Sequence, residues 1–162
     1  MLIALVIICL LFFLHRISSN KQIIIANSTS KWIAIGLLIS LVQIILGTQV
    51  RESVDFFLHN TSRDQIINQL PIVFELHRTM AWLIVISNTF ILFYNRNFFQ
   101  QEIEQKLIII ILIGLLITGL IMSYLSLIGL AQLIHLLAAI SLFICQFSML
   151  LRRFHLPILK SL

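Results

Sequence analysis

Five apolar runs decide what this chain can fold into: about residues 1–14, 32–50, 73–94, 107–125 and 129–151. In lipid every backbone N–H and C=O must be paired inside the protein, so an apolar run of about 20 residues is a helix. The last four runs approach that length. The first, Met1 to Leu14, is short for a span. Charged residues make up only 10% of the 162 residues, and mean hydropathy is +1.07. A soluble domain carries roughly 25% charge, so this chain belongs in a membrane with lipid as its main partner.

The polar segments between the runs give an orientation. Segments 15–31, 95–106 and 152–162 hold Arg16, Lys21 and Lys31, then Arg96 and Lys106, then Arg152, Arg153 and Lys160. Segment 50–76 holds Arg51 and Arg63 against Glu52, Asp55, Asp64 and Glu75, and the turn 126–130 holds no charge. Short cytoplasmic loops collect Lys and Arg. The first group is therefore expected in the cytoplasm and the second outside, with the C-terminus cytoplasmic. In a bacterium this is a multi-pass protein of the cytoplasmic (inner) membrane. The formal net charge of +5 reports that orientation and does not call for a nucleic-acid partner. The N-terminal run has no basic residues before it, unlike a signal peptide. Cys9 and Cys145 fall inside apolar runs and read as packing residues.

A weak repeat runs through the last four segments. Leu46-Gly47-Thr48 lies near the end of one run, and His77 opens the next. Ile117-Thr118-Gly119-Leu120 lies near the end of the fourth, and His135 opens the fifth. A late glycine followed by an early histidine thus occurs twice. The expected architecture is an all-α integral membrane protein: a four-helix transmembrane bundle of two helical hairpins, plus a short or truncated N-terminal span. Its parts are the short span 1–14, the bundle 32–151 and a basic cytoplasmic tail 152–162. Within segment 51–71, Ile66, Ile67 and Leu70 suit a short surface helix, with Phe56, Phe57 and Leu58 as an interfacial anchor. Trp32 reads as an interface aromatic and Trp82 as a packing one.

His77 and His135 carry the chemistry. Ionisable residues inside a span are costly and mark functional sites. Two histidines on different helices at one depth can ligate a haem iron from both faces. Each alone could instead bond to water or a loop carbonyl. Arg51 and Arg78 have forked donors that match haem carboxylates, or they pair with Glu52, Asp55 or Glu75 at the membrane surface. Gly47 permits close approach of a helix or flat ligand. Gln132 lies three residues before His135 on the same helix face, where it could orient a ligand or bond between helices. His15, His59 and His155 read as solvated. No phosphate loop, zinc spacing or Ser/His/Asp arrangement is present in the sequence.

The run Val42-Gln-Ile-Ile-Leu-Gly-Thr-Gln-Val-Arg-Glu52, His77-Arg78 opening a span, and Gln132-Leu-Ile-His135-Leu-Leu-Ala138 together resemble the haem A synthase family. The likeness is to the C-terminal half of bacterial members and covers about residues 32 to 151. That family has eight spans in two related halves and oxidises haem O to haem A for cytochrome oxidase assembly. The resemblance implies that His77 and His135 are axial ligands of a haem b iron that relays electrons. The family's catalytic half is marked by a Glu three residues before a His-Arg pair. Here that position is Phe74, and Glu75 is two before His77. Catalytic residues are therefore unassigned.

Aligning Arg16 with Arg153 sets Met1 opposite Ala138, which gives the expectation that the chain starts inside the last helix of a missing N-terminal half. The functional expectation is the haem b-binding half of a haem A synthase-like oxidoreductase. It would work with a second half-protein or as a homo-oligomer, with haem O and haem A as substrate and product. The alternatives are a non-enzymatic bis-histidine membrane cytochrome b or oxidase-assembly factor, and a helical scaffold without haem.

Overall fold

The structure, a computed structural model, describes residues 2–18, 27–58, 66–67, 70–94, 103–125 and 129–153. It is an all-α membrane bundle with no strand among the described residues. Helix α1 spans Leu2–Ser18, α2 Asn27–Phe57, α3 Ile72–Tyr94, α4 Ile103–Tyr124 and α5 Gly129–Arg153. Four of them, α2 to α5, are long and apolar enough to cross a membrane. The 22 residues of α4 and 23 of α3 exceed the roughly 20 needed to span a hydrocarbon core. Large apolar side chains such as Ile110, Ile113 and Leu120 stay exposed, as lipid contact requires. The chain is a multi-pass membrane protein.

The bundle is two antiparallel hairpins. Helix α2 packs along α3, and α4 along α5. The hairpins join mainly where α2 meets α5, while α3 and α4 touch only lightly. One core cluster draws on all four helices: Ile33, Ile84, Ile91, Ile108, Leu112, Leu142, Cys145 and Met149. Helix α1 adds Leu5 to a second cluster with Ile44 of α2 and Phe143 of α5.

Polar side chains are buried in this core as well. Gln146 Nε2 of α5 donates to Asn88 Oδ1 of α3 at 2.9 Å, and both residues are fully buried. Asn88 also donates to the carbonyl of Ile84 in its own helix. Farther along α5, Ser148 and Arg152 both donate to Glu104 Oε1 at the start of α4. In a medium that offers no water, each such group must find a protein partner, so these bonds select which helices meet.

Three differences from the sequence reading have physical causes. Helix α2 does not stop at Arg51 but continues to Phe57. Arg51 pairs with Asp55 at 3.7 Å one turn on, and Ser53 donates to the Gln49 carbonyl, so the polar segment closes its own helical contacts. Val54 extends the apolar face and is buried against Ile66, with Phe57, Leu58, Ile67, Leu70 and Met122 around them. Ile66 is fully buried and helical, with Ile67 following it; the rest of the segment expected to form a short surface helix, residues 59–65 and 68–69, lies outside the described residues. Finally, Trp82 is 66% exposed and faces outward. Trp32 instead packs inward against the main cluster and stacks on Phe90 and Tyr94.

Candidate functional site

Pro71 precedes α3, and its carbonyl accepts the Phe74 N–H at 2.9 Å, which sets the first turn. His77 follows in the second turn of α3, and His135 lies in the second turn of α5. These helices belong to different hairpins, yet the two imidazoles meet. Their centres are 6.4 Å apart and their planes are inclined by 68°. The sequence expectation of two histidines at one depth is met by direct juxtaposition.

Each imidazole rests on a glycine of the preceding helix. A Cβ on Gly47 of α2 would lie 3.1 Å from His77 Cε1, and a Cβ on Gly119 of α4 would lie 3.6 Å from His135 Cε1. The repeated glycine and histidine therefore form two corresponding contacts, one per hairpin, the first the closer. Each glycine gives its hairpin the room to hold a ring between two helices.

The hydrogen bonds around the rings differ. Gln43 Nε2 donates to the backbone carbonyl of His77 at 2.8 Å, which holds α3 against α2 at this level. The buried Nδ1 of His77 makes no hydrogen bond. His135 Nδ1 lies 2.8 Å from the hydroxyl of Thr118. That hydroxyl is also 2.7 Å from the Gly114 carbonyl in its own helix. Thr118 appeared in the sequence only as part of the repeat; its place beside Gly119 was the available signal.

The other candidates are peripheral. Arg78 is exposed, pairs with Glu75 at 2.7 Å and lies over the Phe74 ring. Arg51 is exposed and pairs with Asp55. Both arginines thus bond along their own helices at the end of the bundle that carries the histidines. Gln132 is half-buried, one turn before His135 on α5. Glu52 is exposed beside an open groove that it lines with Gln49, Ser53, Phe56 and Phe57. His15 is exposed on α1; His59 and His155 lie outside the described residues.

The ring pair has the spacing of two ligands on one metal. A metal–imidazole nitrogen bond is about 2 Å, and the nitrogen sits about 1 Å from its ring centre, so opposed imidazoles have centres roughly 6 Å apart. The 6.4 Å found here fits. Among the described residues no group of three or more His, Cys, Asp or Glu gathers to complete a metal site from side chains alone. No family model, curated protein or solved structure matches the chain.

Proposed function

We propose that this chain is the haem b-binding half of a haem A synthase-like oxidoreductase, in which His77 and His135 would hold the haem iron. The observation that carries the reading is the 6.4 Å ring pair, formed by histidines from two different hairpins in an apolar bundle. Iron in a bound haem would supply one-electron chemistry. The chain's own residues would seat it: Gly47 and Gly119 leave the space that each ring occupies. Arg51 and Arg78 sit in exposed ion pairs, which are weak and can be exchanged for haem carboxylates at small cost. The site faces the outer side of a bacterial cytoplasmic membrane, with the C-terminus in the cytoplasm. A second half-protein, or another copy of this chain, completes the oxidation of haem O to haem A.

The second reading is a bis-histidine membrane cytochrome b or assembly factor that does not oxidise its haem. One observation favours it: Glu75, the carboxylate nearest His77 in sequence, is exposed and bound to Arg78. It is not directed at the histidine pair as an acid or base.

Absorption spectroscopy of the purified protein tests the haem reading. A Soret band lost in both His77→Ala and His135→Ala is the expected result; no band, or one that survives both changes, overturns it. Conversion of haem O to haem A, assayed with and without a partner half, separates the two readings.

A further inference from the structure

The two hairpins share a glycine–histidine contact but differ in what holds the rings. Offsetting Gly119 onto Gly47 sets Thr118 opposite Leu46. Leucine has no group that can bond to an imidazole nitrogen. The hydroxyl partner that His135 has at Nδ1 is therefore absent at His77.

A hydroxyl has one proton and lone pairs to accept. Thr118 Oγ1 lies 2.7 Å from the Gly114 carbonyl and 3.2 Å from that of Leu115, and neither carbonyl can donate. Its proton therefore goes to a carbonyl, the nearer being Gly114. Its oxygen is then left to accept, and His135 Nδ1 at 2.8 Å must be the donor. The imidazole carries its proton on Nδ1 and presents a bare lone pair on Nε2. The reverse tautomer would turn the hydroxyl proton away from both carbonyls.

We propose that Thr118 is a positioning residue that fixes the Nδ1–H tautomer and the ring plane of His135, making the two histidines inequivalent. His135 is the pre-set ligand. The role of this inequivalence rests on the haem reading above; the tautomer itself does not. A partner accepting the Nδ1 proton raises the basicity of a metal-bound imidazole, and losing such a partner typically weakens metal binding about 10- to 100-fold.

The test compares wild type, Thr118→Val and Thr118→Ser. Valine keeps the shape and removes the hydroxyl, whereas serine restores it. Nitrogen NMR of ¹⁵N-histidine-labelled protein without haem reads the tautomer directly. A single Nδ1–H signature for His135 is expected in wild type and Thr118→Ser, and its loss in Thr118→Val. In haem-loaded protein, Thr118→Val is expected to release haem roughly tenfold more readily and to shift the midpoint potential upward, with Thr118→Ser close to wild type. An Nε2–H tautomer in wild type, or an unchanged signature in Thr118→Val, overturns the proposal. Absence of a Soret band would overturn the haem reading while leaving the tautomer result standing. If Thr118→Val does not fold, the wild-type and Thr118→Ser spectra still decide the tautomer.

Discussion

Gly47 stands directly against the imidazole of His77, close enough that a Cβ would lie 3.1 Å from Cε1. Its counterpart Gly119 leaves more room, 3.6 Å from His135 Cε1. The half-ångström matters because the two rings are seated differently. His77 is clamped through its backbone carbonyl by Gln43, so its ring can give way only by turning. His135 is held by its ring nitrogen. One repeat has thus become a tight seat in the first hairpin and a looser, hydrogen-bonded seat in the second.

The two glycines are therefore expected to respond to alanine with opposite signs. In a helix interior alanine is favoured over glycine by roughly 0.5–1 kcal/mol. Gly119→Ala makes only ordinary contact, so it should raise thermal stability in detergent. Gly47→Ala must displace a clamped ring, and overpacking of this kind costs about 1–3 kcal/mol. Its net effect should be a lowered melting temperature. Equal stabilisation by both changes would show that the His77 ring moves freely.

Asn88 and Gln146 tie α3 to α5 through a bond between fully buried amides. Replacing Asn88 alone with Leu leaves the Gln146 amide without that partner, and the reverse change does the same to Asn88. The double variant Asn88→Leu/Gln146→Leu removes both groups and should be less destabilised than the sum of the singles. Interhelical hydrogen bonds in membranes couple by about 0.6 kcal/mol on average. Unfolding in mixed micelles measures the cycle, and strict additivity would mean that the pair contributes nothing specific.

Much of the fold was legible because lipid imposes so narrow a grammar. The four spans and their pairing followed from apolar length and from the recurrence of Gly47 with His77 and Gly119 with His135. The end of α2 was not legible. Arg51 reads as the edge of a span, but exposed charges continue a helix when partners recur at one turn, as Asp55 does. The inward faces were not legible either. Asn88 and Gln146 are visibly polar residues in apolar runs, yet the periodicity is too weak to say that they point at one another. Trp82 faces outward for the same reason: in a helix apolar all round, position alone does not choose a face. Thr118 was in view from the start, but a threonine in a span usually bonds back to its own helix. Only the position of the His135 ring reveals its second partner.

Glu104 and Arg152 join α4 to α5 at the end of the bundle opposite the histidines, with Ser148 donating to the same carboxylate oxygen. Glu104 is buried, so removing the cation strands a charge. Arg152→Met should cost about 2–3 kcal/mol, below the usual range for a fully buried pair because the arginine side chain is 26% exposed. Glu104→Gln in the same chain keeps an acceptor for Ser148 and removes the stranded charge, so the double variant should regain most of the loss. Chemical denaturation in micelles checks both. A double variant as unstable as Arg152→Met would mean that the arginine stem, rather than its charge, supplies the stability.

Gly36 of α2 sits at a very close helix crossing. A Cβ there would meet the Cδ1 of Ile91 on α3 at 2.5 Å, with Gln146 Nε2 of α5 at 3.6 Å. Ile91 is fully buried in the four-helix cluster, so its side chain is hemmed in by neighbours. Gly36→Ala should therefore destabilise by about 1–3 kcal/mol through overpacking, despite the better helix propensity of alanine. Ile91→Val removes the one atom in the way and by itself costs about 0.5–1.5 kcal/mol for the lost methyl. In combination, the methyl introduced at position 36 occupies the space that Cδ1 vacates. The double variant should consequently be more stable than Gly36→Ala alone, even though it also carries a core truncation. Thermal unfolding of wild type, the two single variants and the double variant in one detergent reads this directly. A double variant less stable than Gly36→Ala would mean that the backbones of α2 and α3, not the Ile91 side chain, set the spacing at this crossing.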